Sequence, residues 1–353
     1  MALELKIGNR LLGRGHPTFL VAEMSGNHGG KIHRALEILR AAKRAGADAV
    51  KLQTYTPDTI TLNSSFEDFL LPSDSPWSQE SNLYQLYSKA FTPWEWHLEL
   101  FEEAHRQNII IFSSPFDESA VDFLEQLGAP AYKIASPEIT HIPLIRRVAL
   151  TGKPVILSTG VSDLADLELA IETLRSGGVT QIIVLKCTTA YPAPLEESNL
   201  RTIPDIIERF GVLSGLSDHT MGSAGAIAAV VLGSSLIEKH FTLDDNSETV
   251  DSFFSSNEDE FQKMVRDIRS VEKSLGQVCY EITQSARNSL RGRRSLYVAA
   301  PISAGEALTT KNVKCVRPAF GLHPKYFDQI LGRTVTCDLR IGDRLTWEVI
   351  ASK

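Results

Sequence analysis

Two neighbouring phrases decide how this chain is organised: "GLSDHTMGSAG" (215–225) and "SSLIEKHFTLDD" (234–245). Each begins as a short apolar run and closes on a histidine, His219 and His240. Runs of the same kind precede them: "TFLVAEM", "DAVKLQT", "NIIIFSSP", "AYKIAS", "PVILSTG", "QIIVLKC", then "VLSGLSD" and "SLIEKHF". Helix-period segments lie between them, such as "KIHRALEILRAAKRAG" (31–46) and "DLADLELAIETLRSGG" (163–178). Several of these end in Gly, as a helix C-terminus favours. Strands alternating with helices imply a parallel sheet buried on both faces. Eight units over residues 18–275 predict an α/β fold, a TIM (β/α)8 barrel. The open doubly wound sheet is the alternative, but no GxGxxG follows the first strand.

Outside that pattern the texture changes. After residue 285 short β-like runs follow a basic stretch: "RSLYVAA", "VKCVRP", "TVTCDL" and "DRLTWEVI". They predict a small all-β domain at 291–353, joined to a barrel of residues 1–278 by a linker at 279–290. The segment from Tyr55 to Pro93 is long for a connection, and such loops commonly serve function. It leaves the second strand on the face where barrel active sites form, so it reads as a lid or a wall of the site.

Composition narrows the function classes. A net charge of −7 gives no electrostatic footprint for nucleic acid. The four cysteines are scattered without a CxxC pair, which argues against a zinc ribbon or a disulfide framework. The N-terminal stretch is no signal peptide and no apolar run approaches membrane length, so a cytoplasmic protein is expected.

Catalytic groups of a TIM barrel stand at the C-terminal ends of its strands. There the chain places Glu23, Lys51 and Gln53, Ser113 and Ser114, Lys133, Ser136 and Glu138, Lys186, Thr188, Thr189 and Tyr191, Ser217 and His219, and Glu238 and His240. Period two sets Lys51 with Gln53, Ser217 with His219, and Glu238 with His240 on shared faces. A single strand lysine commonly snorkels to a rim, and a single histidine is commonly a hydrogen-bonded core residue. The sum is harder to explain structurally, because seven of the eight strand ends carry groups suited to one polar site. Lysines with several hydroxyls equip a pocket for phosphate or carboxylate. Two imidazoles with open positions suit an exchangeable divalent metal, with Glu238 orienting one ring.

The phrases "VAEMSGNHGG", "GADAVKLQTYTPDTIT", "FSSPFD", "AYKIASPEI", "GKPVILSTG", "LKCTTAYPAP", "GLSDHT" and "IEKHFTLDD" resemble, in series and order, the sialic acid synthase family. The tail, with "VRPAFGLHPKY" and "ILGRTVTCDLRIGDRL", resembles that family's antifreeze-like (SAF) domain. "TYTPDTIT", "PWEWH", "KCTTAYPAP" and "EKHFTLD" before "VDSFFS" are similar to its pseudaminic acid branch. Thr189 stands where N-acetylneuraminate synthases usually carry Asn, and legionaminate synthesis is the neighbouring alternative.

The resemblance implies condensation of phosphoenolpyruvate with 2,4-diacetamido-2,4,6-trideoxy-L-altrose and water, releasing phosphate. It implies that Lys51, Ser114, Lys133, Ser136, Thr189 and Ser217 bind phosphoenolpyruvate. His219 and His240 would hold a divalent metal, Mn2+ foremost with Mg2+ or Co2+ as alternatives, and Glu23 would be the general base. Gln53, Glu138, Tyr191 and Asp251 match sugar-side positions. Arg317 matches an arginine that reaches the sugar site of a partner subunit in a domain-swapped homodimer. Two other readings remain at this point. One is an aldolase with a Schiff-base lysine, Lys133 or Lys186. The other is a non-catalytic sugar-binding protein.

Overall fold

The computed structural model of the chain describes residues 3–243 and 249–352. Asp244 and Asp245 of the "IEKHFTLDD" phrase lie outside the described residues. The chain divides into two compact units, residues 1–276 and 277–353.

The strands are β1 (Glu4–Ile7), β2 (Arg10–Gly13), β3 (Phe19–Glu23), β4 (Ala49–Thr54), β5 (Ile110–Pro115), β6 (Tyr132–Ile134), β7 (Val155–Ser158), β8 (Ile182–Cys187), β9 (Leu213–Asp218), β10 (Leu236–His240), β11 (Ser295–Val298) and β12 (Val313–Val316). Strands β3 to β10 close into a parallel barrel, with β10 pairing β3 to complete it. The eight apolar runs are these eight strands. Helices return the chain between them, and the sequence shows why they start and stop. The helix Ile32–Ala45 ends on Gly46 at φ +93°, a conformation glycine adopts without steric cost. The helix Leu164–Ser176 begins on an Asp163 capping box, in which side chain and backbone satisfy each other's free donors.

Side-chain alternation divides each strand between two cores. Phe19, Val21, Ala49, Phe112, Ile156, Ile183, Leu185, Leu213 and Leu236 fill the barrel interior. Leu20, Ala22, Val50, Leu52, Leu216 and Ile237 face the helices instead. The interior cluster also holds Leu5, Ile7 and Leu12, from the antiparallel pair β1–β2. In sequence that stretch reads only as a non-signal N-terminus. It is a hairpin whose apolar face plugs the N-terminal end of the barrel, and its alternation ELKI carried the signal. Each such buried Leu or Ile contributes about 1.5–3 kcal/mol.

The second unit is all-β in kind but sparsely laddered. Among its described residues only β11 and β12 pair as regular antiparallel strands. The runs "TVTCDL" and "DRLTWEVI" make isolated bridges, among them Val335 with Ile350 and Ile302 with Leu339, and Trp347–Val349 is a 3-10 turn. A core of Leu296, Val298, Ile302, Leu308, Val313, Ile330 and Leu345 holds them together. Among the described residues no helix is long and apolar enough to cross a membrane.

Candidate active site at the barrel mouth

Continuing the alternation toward the C-terminal strand ends turns the interior from hydrocarbon to charge. Val21 is followed inward by Glu23, Ala49 by Lys51 and Gln53, Phe112 by Ser114, and Leu236 by Glu238 and His240. Lys133, between the helix-facing Tyr132 and Ile134, also points inward.

Glu238 is the hub. Its Oε1 accepts hydrogen bonds from Lys51 Nζ at 2.9 Å, Ser217 Oγ at 3.1 Å and Lys133 Nζ at 3.3 Å. This corrects the expectation that Glu238 orients a histidine: its partners are lysines from β4 and β6 and the serine of β9. Lys51 Nζ also lies 3.0 Å from Glu23 Oε2 as an ion pair. Gln53 Nε2 donates to Glu23 Oε1 at 2.9 Å. Burying unpaired charge costs several kcal/mol, and here each ammonium has a carboxylate.

Sharing Lys51 separates the two glutamates. Burial alone would raise Glu238, but Lys133 and Lys51 outweigh it and hold its carboxyl well below the usual range. For Glu23 burial wins, aided by the charge of Glu238 and opposed by Lys51, and its carboxyl is pushed up to about 7. Burial favours the neutral amine of Lys51, yet Glu23 and Glu238 overcome it and raise its pKa. One carboxylate thus stays ionised while the other exchanges protons near neutrality, the environment that assigns acid–base roles. Burial also pushes the carboxyl of Glu138 up to about 7, against Lys133 and Lys51.

Around this hub stand the other expected residues. Ser114 pairs in register with Gln53, and its buried Oγ has no partner among the described residues. Ser136 Oγ accepts from the Gly160 amide at 3.0 Å. A Cβ on Gly160 would stand 1.9 Å from Thr189 Oγ1 and 2.8 Å from Ser136 Oγ, so only glycine lets these two hydroxyls approach. Gly160 is part of the site, and its place in "STG" at the end of β7 was the available signal. Lys186 is not in the mouth. Leu185 and Ile183 face inward, so Lys186 faces outward and donates to the Cys187 carbonyl at 2.5 Å. The same alternation rule, applied to "IIVLKC", would have excluded it.

His219 and His240 come together as expected, with ring centroids 5.3 Å apart. His219 Nδ1 bonds the Thr188 carbonyl at 2.9 Å, which makes that nitrogen the donor and leaves Nε2 with its lone pair. His240 Nδ1 is buried without a hydrogen-bond partner, 3.9 Å from Asp251 Oδ2. Burial, followed by the charges of His219 and Lys51, keeps His240 neutral by drawing its pKa well below the usual value. Burial opposes charge on His219, but Cys187, 3.9 Å from its Nδ1, and the Thr188 carbonyl outweigh it and raise its pKa. The two rings, with His219 Nε2 and His240 Nδ1 free, fit a divalent metal. Among the described residues no group of three His, Cys, Asp or Glu is arranged to hold one. Behind them, on the outer face, Lys239 Nζ bonds Asp218 Oδ2 at 2.9 Å and the Thr220 carbonyl at 2.5 Å, tying the two strand ends together.

The residues expected on the sugar side stand at the wall of the mouth. Tyr191 lies 4.6 Å from the His219 ring and 4.8 Å from Phe254. Trp77, from the long segment after β4, packs on Tyr191 at 5.6 Å and donates to the Val250 carbonyl at 2.8 Å. That segment is therefore a wall of the mouth, although its aromatics were not singled out from sequence. Asp251 accepts from Ser25, and Ser25 accepts from Gln53 at 3.0 Å. Arg317 belongs to the second unit, where it is exposed after β12.

Comparison with known proteins agrees with this geometry. Residues 38–280 match the NeuB family and residues 293–351 the SAF domain. The chain is 45% identical to a pseudaminic acid synthase of Helicobacter pylori, over 94% of this chain and 97% of that one. It is 43% identical to a pseudaminic acid synthase of Campylobacter jejuni, over 93% and 95% respectively. Among solved structures, the spore coat polysaccharide biosynthesis protein SpsE of Bacillus subtilis superposes with a TM-score of 0.67 at 34% identity, each chain covered over 99%. A polar barrel mouth built on the expected strand ends, together with these matches, makes the chain a member of the NeuB family carrying a C-terminal SAF domain.

Proposed function

We infer that this chain is a pseudaminic acid synthase: it condenses phosphoenolpyruvate with 2,4-diacetamido-2,4,6-trideoxy-L-altrose and water, giving pseudaminic acid and phosphate. The observation that carries the reading is the buried cluster of Lys51, Lys133, Glu23 and Glu238 beside the paired histidines His219 and His240, in a chain 43–45% identical to pseudaminic acid synthases.

Phosphoenolpyruvate is a compact polyanion. Lys51 and Lys133 would bind it with the hydroxyls of Ser114, Ser136, Thr189 and Ser217. Because Glu23 is near half-protonated at neutral pH, the lysines leave this corner able to accept an anion. His219 and His240 would hold the divalent metal, Mn2+ foremost, which when bound supplies Lewis acidity to the sugar aldehyde. Gln53, Glu138, Tyr191 and Asp251 would orient the open-chain sugar so that its carbonyl carbon meets C3 of the enol.

The new C–C bond takes the enol π electrons, the aldehyde oxygen takes up a proton, and C2 becomes electron-poor. Glu23 removes a proton from the water that adds at C2. The resulting tetrahedral carbon expels phosphate by C–O cleavage, leaving the 2-keto acid. The ionised Glu238 stabilises positive charge developing nearby. The resemblance further supports a homodimer in which Arg317 of one subunit serves the sugar site of the other.

One experiment tests the reading. The purified chain is incubated with phosphoenolpyruvate, Mn2+ and the altrose, mannose and 6-deoxy-2,4-diacetamido sugars, following phosphate and identifying product by mass and NMR. Pseudaminic acid from the altrose sugar is expected. Turnover confined to another sugar overturns the assignment. An Arg317→Ala arm should weaken sugar use in a dimeric preparation while phosphoenolpyruvate binding persists; unchanged sugar kinetics would remove Arg317 from the site.

A further inference from the structure

Three non-glycine residues among those described have positive φ: Ser25 at +46°, Asn108 at +50° and Asn199 at +45°. Asparagine tolerates this region because its side chain bonds locally, and Asn108 merely caps a helix. A serine gains little there. Held in the left-handed region, a non-glycine backbone is strained, and such strain persists only where surrounding structure imposes it.

The surroundings of Ser25 show what imposes it. It opens the 3-10 turn Ser25–His28 that follows β3, two residues after Glu23, and is buried with 4% of its surface exposed. Gly26 packs its Cα side against helix Leu83–Ala90 so closely that a Cβ would meet Ala90 Cα at 3.2 Å, which pins the turn. In this conformation Ser25 Oγ donates to Asp251 Oδ2 and accepts from Gln53 Nε2 at 3.0 Å. The polarity is complementary at both ends: a carboxylate can only accept and an amide nitrogen can only donate. Gln53 Nε2 has its second proton on Glu23 Oε1 at 2.9 Å, and Asp251 Oδ2 lies 3.9 Å from His240 Nδ1. One hydroxyl therefore joins the general base, through Gln53, to the histidine pair, through Asp251. With both Nε2 protons engaged, the amide oxygen of Gln53 is the group left to meet a ligand.

We propose that Ser25 is a positioning residue for the sugar half of the site, kept in a strained backbone because its hydroxyl fixes Gln53 and Asp251 against each other. This rests on the synthase reading above. Glycine would relieve the strain and delete the hydroxyl, so stability and function separate in one variant. A residue kept for folding alone would not separate them.

The test compares wild type, Ser25→Gly and Ser25→Ala by thermal melting and by steady-state kinetics in each substrate. Ser25→Gly should melt at or above the wild-type temperature, while its sugar KM rises about tenfold, the loss expected for a hydrogen bond to a charged partner. Its phosphoenolpyruvate KM should stay within about twofold of wild type. Ser25→Ala, which keeps the strain, should melt below Ser25→Gly with a similar sugar KM. A lower melting temperature for Ser25→Gly, an unchanged sugar KM, or equal shifts in both KM values would each overturn the proposal. A wild type inactive on every sugar overturns the synthase reading instead; the melting comparison then still decides whether Ser25 is strained for a reason other than stability.

Discussion

The two ends of the barrel are made by the same strands under the same alternation, and they could hardly differ more. At the N-terminal end Phe19, Ala49, Leu213 and Leu236 meet the hairpin residues Leu5, Ile7 and Leu12 in a dry hydrocarbon plug. One or two pleats further along the same strands stand Glu23, Lys51, Ser217 and Glu238, equally buried but charged or hydroxylated. The plug gains stability by removing apolar surface from water, and any well-packed apolar set would serve. The mouth gains little: buried ion pairs roughly offset their own desolvation, and replacing them by hydrocarbon is often neutral or stabilising. A protein that keeps such a cluster on six strands keeps it for chemistry. Stability and activity should therefore be separable along one strand.

Glu23→Gln tests the mouth most severely. The amide keeps the shape and the Gln53 contact region but cannot take a proton. Turnover should fall by about 10²–10⁴-fold with the melting temperature held. In the wild type the rate should rise with pH through about 7, because the ionised carboxylate is the working form and burial places its titration there. The sign is opposite for stability. The folded-state pKa lies above the unfolded value, so stability contributed by Glu23 is present at low pH and declines as pH rises toward about 7. Phosphate release against pH and melts in the same buffers check both, and near-wild-type turnover in the variant would falsify the role of Glu23.

Leu236→Ala tests the other end of β10. Leu236 is fully buried in the plug, two pleats from His240. Removing it should cost about 2–5 kcal/mol in denaturant unfolding, while kcat of the protein that remains folded stays near wild type. A large loss of kcat at low temperature would show that the two ends are coupled, and the comparison drawn above would not hold.

Gly160→Ala is the smallest and most local of the three. Its methyl must displace Thr189 and Ser136, the hydroxyls assigned to phosphoenolpyruvate. A roughly tenfold rise in phosphoenolpyruvate KM with sugar KM unchanged is expected. Equal changes in both would move these hydroxyls out of the phosphoenolpyruvate half.

Much of this was legible because a barrel reduces site-finding to reading strand ends. Lys51 with Gln53 and Ser217 with His219 could be paired from period two alone, since successive side chains must face opposite ways. The same rule, pressed further, would have turned Lys186 outward and recognised the amphipathic hairpin at Glu4–Gly13. Glu238 illustrates the opposite case. Its neighbour in sequence is a histidine two residues away, but its partners arrive from β4, β6 and β9. Nothing in a linear pattern states which side chains meet across the centre of a closed sheet. The second unit was read as having four strands, and only two formed a regular ladder, because short β-like runs specify extended backbone without specifying a partner.

From its residues alone, this chain determines which groups stand at the barrel mouth, because local periodicity and strand length are properties of consecutive residues. Only the tertiary structure decided which of them share protons and charge. That depends on closure of the sheet, which brings Lys51 and Lys133 onto one carboxylate, lifts Glu23 toward neutrality by burial, and holds Ser25 in a backbone conformation its own sequence disfavours.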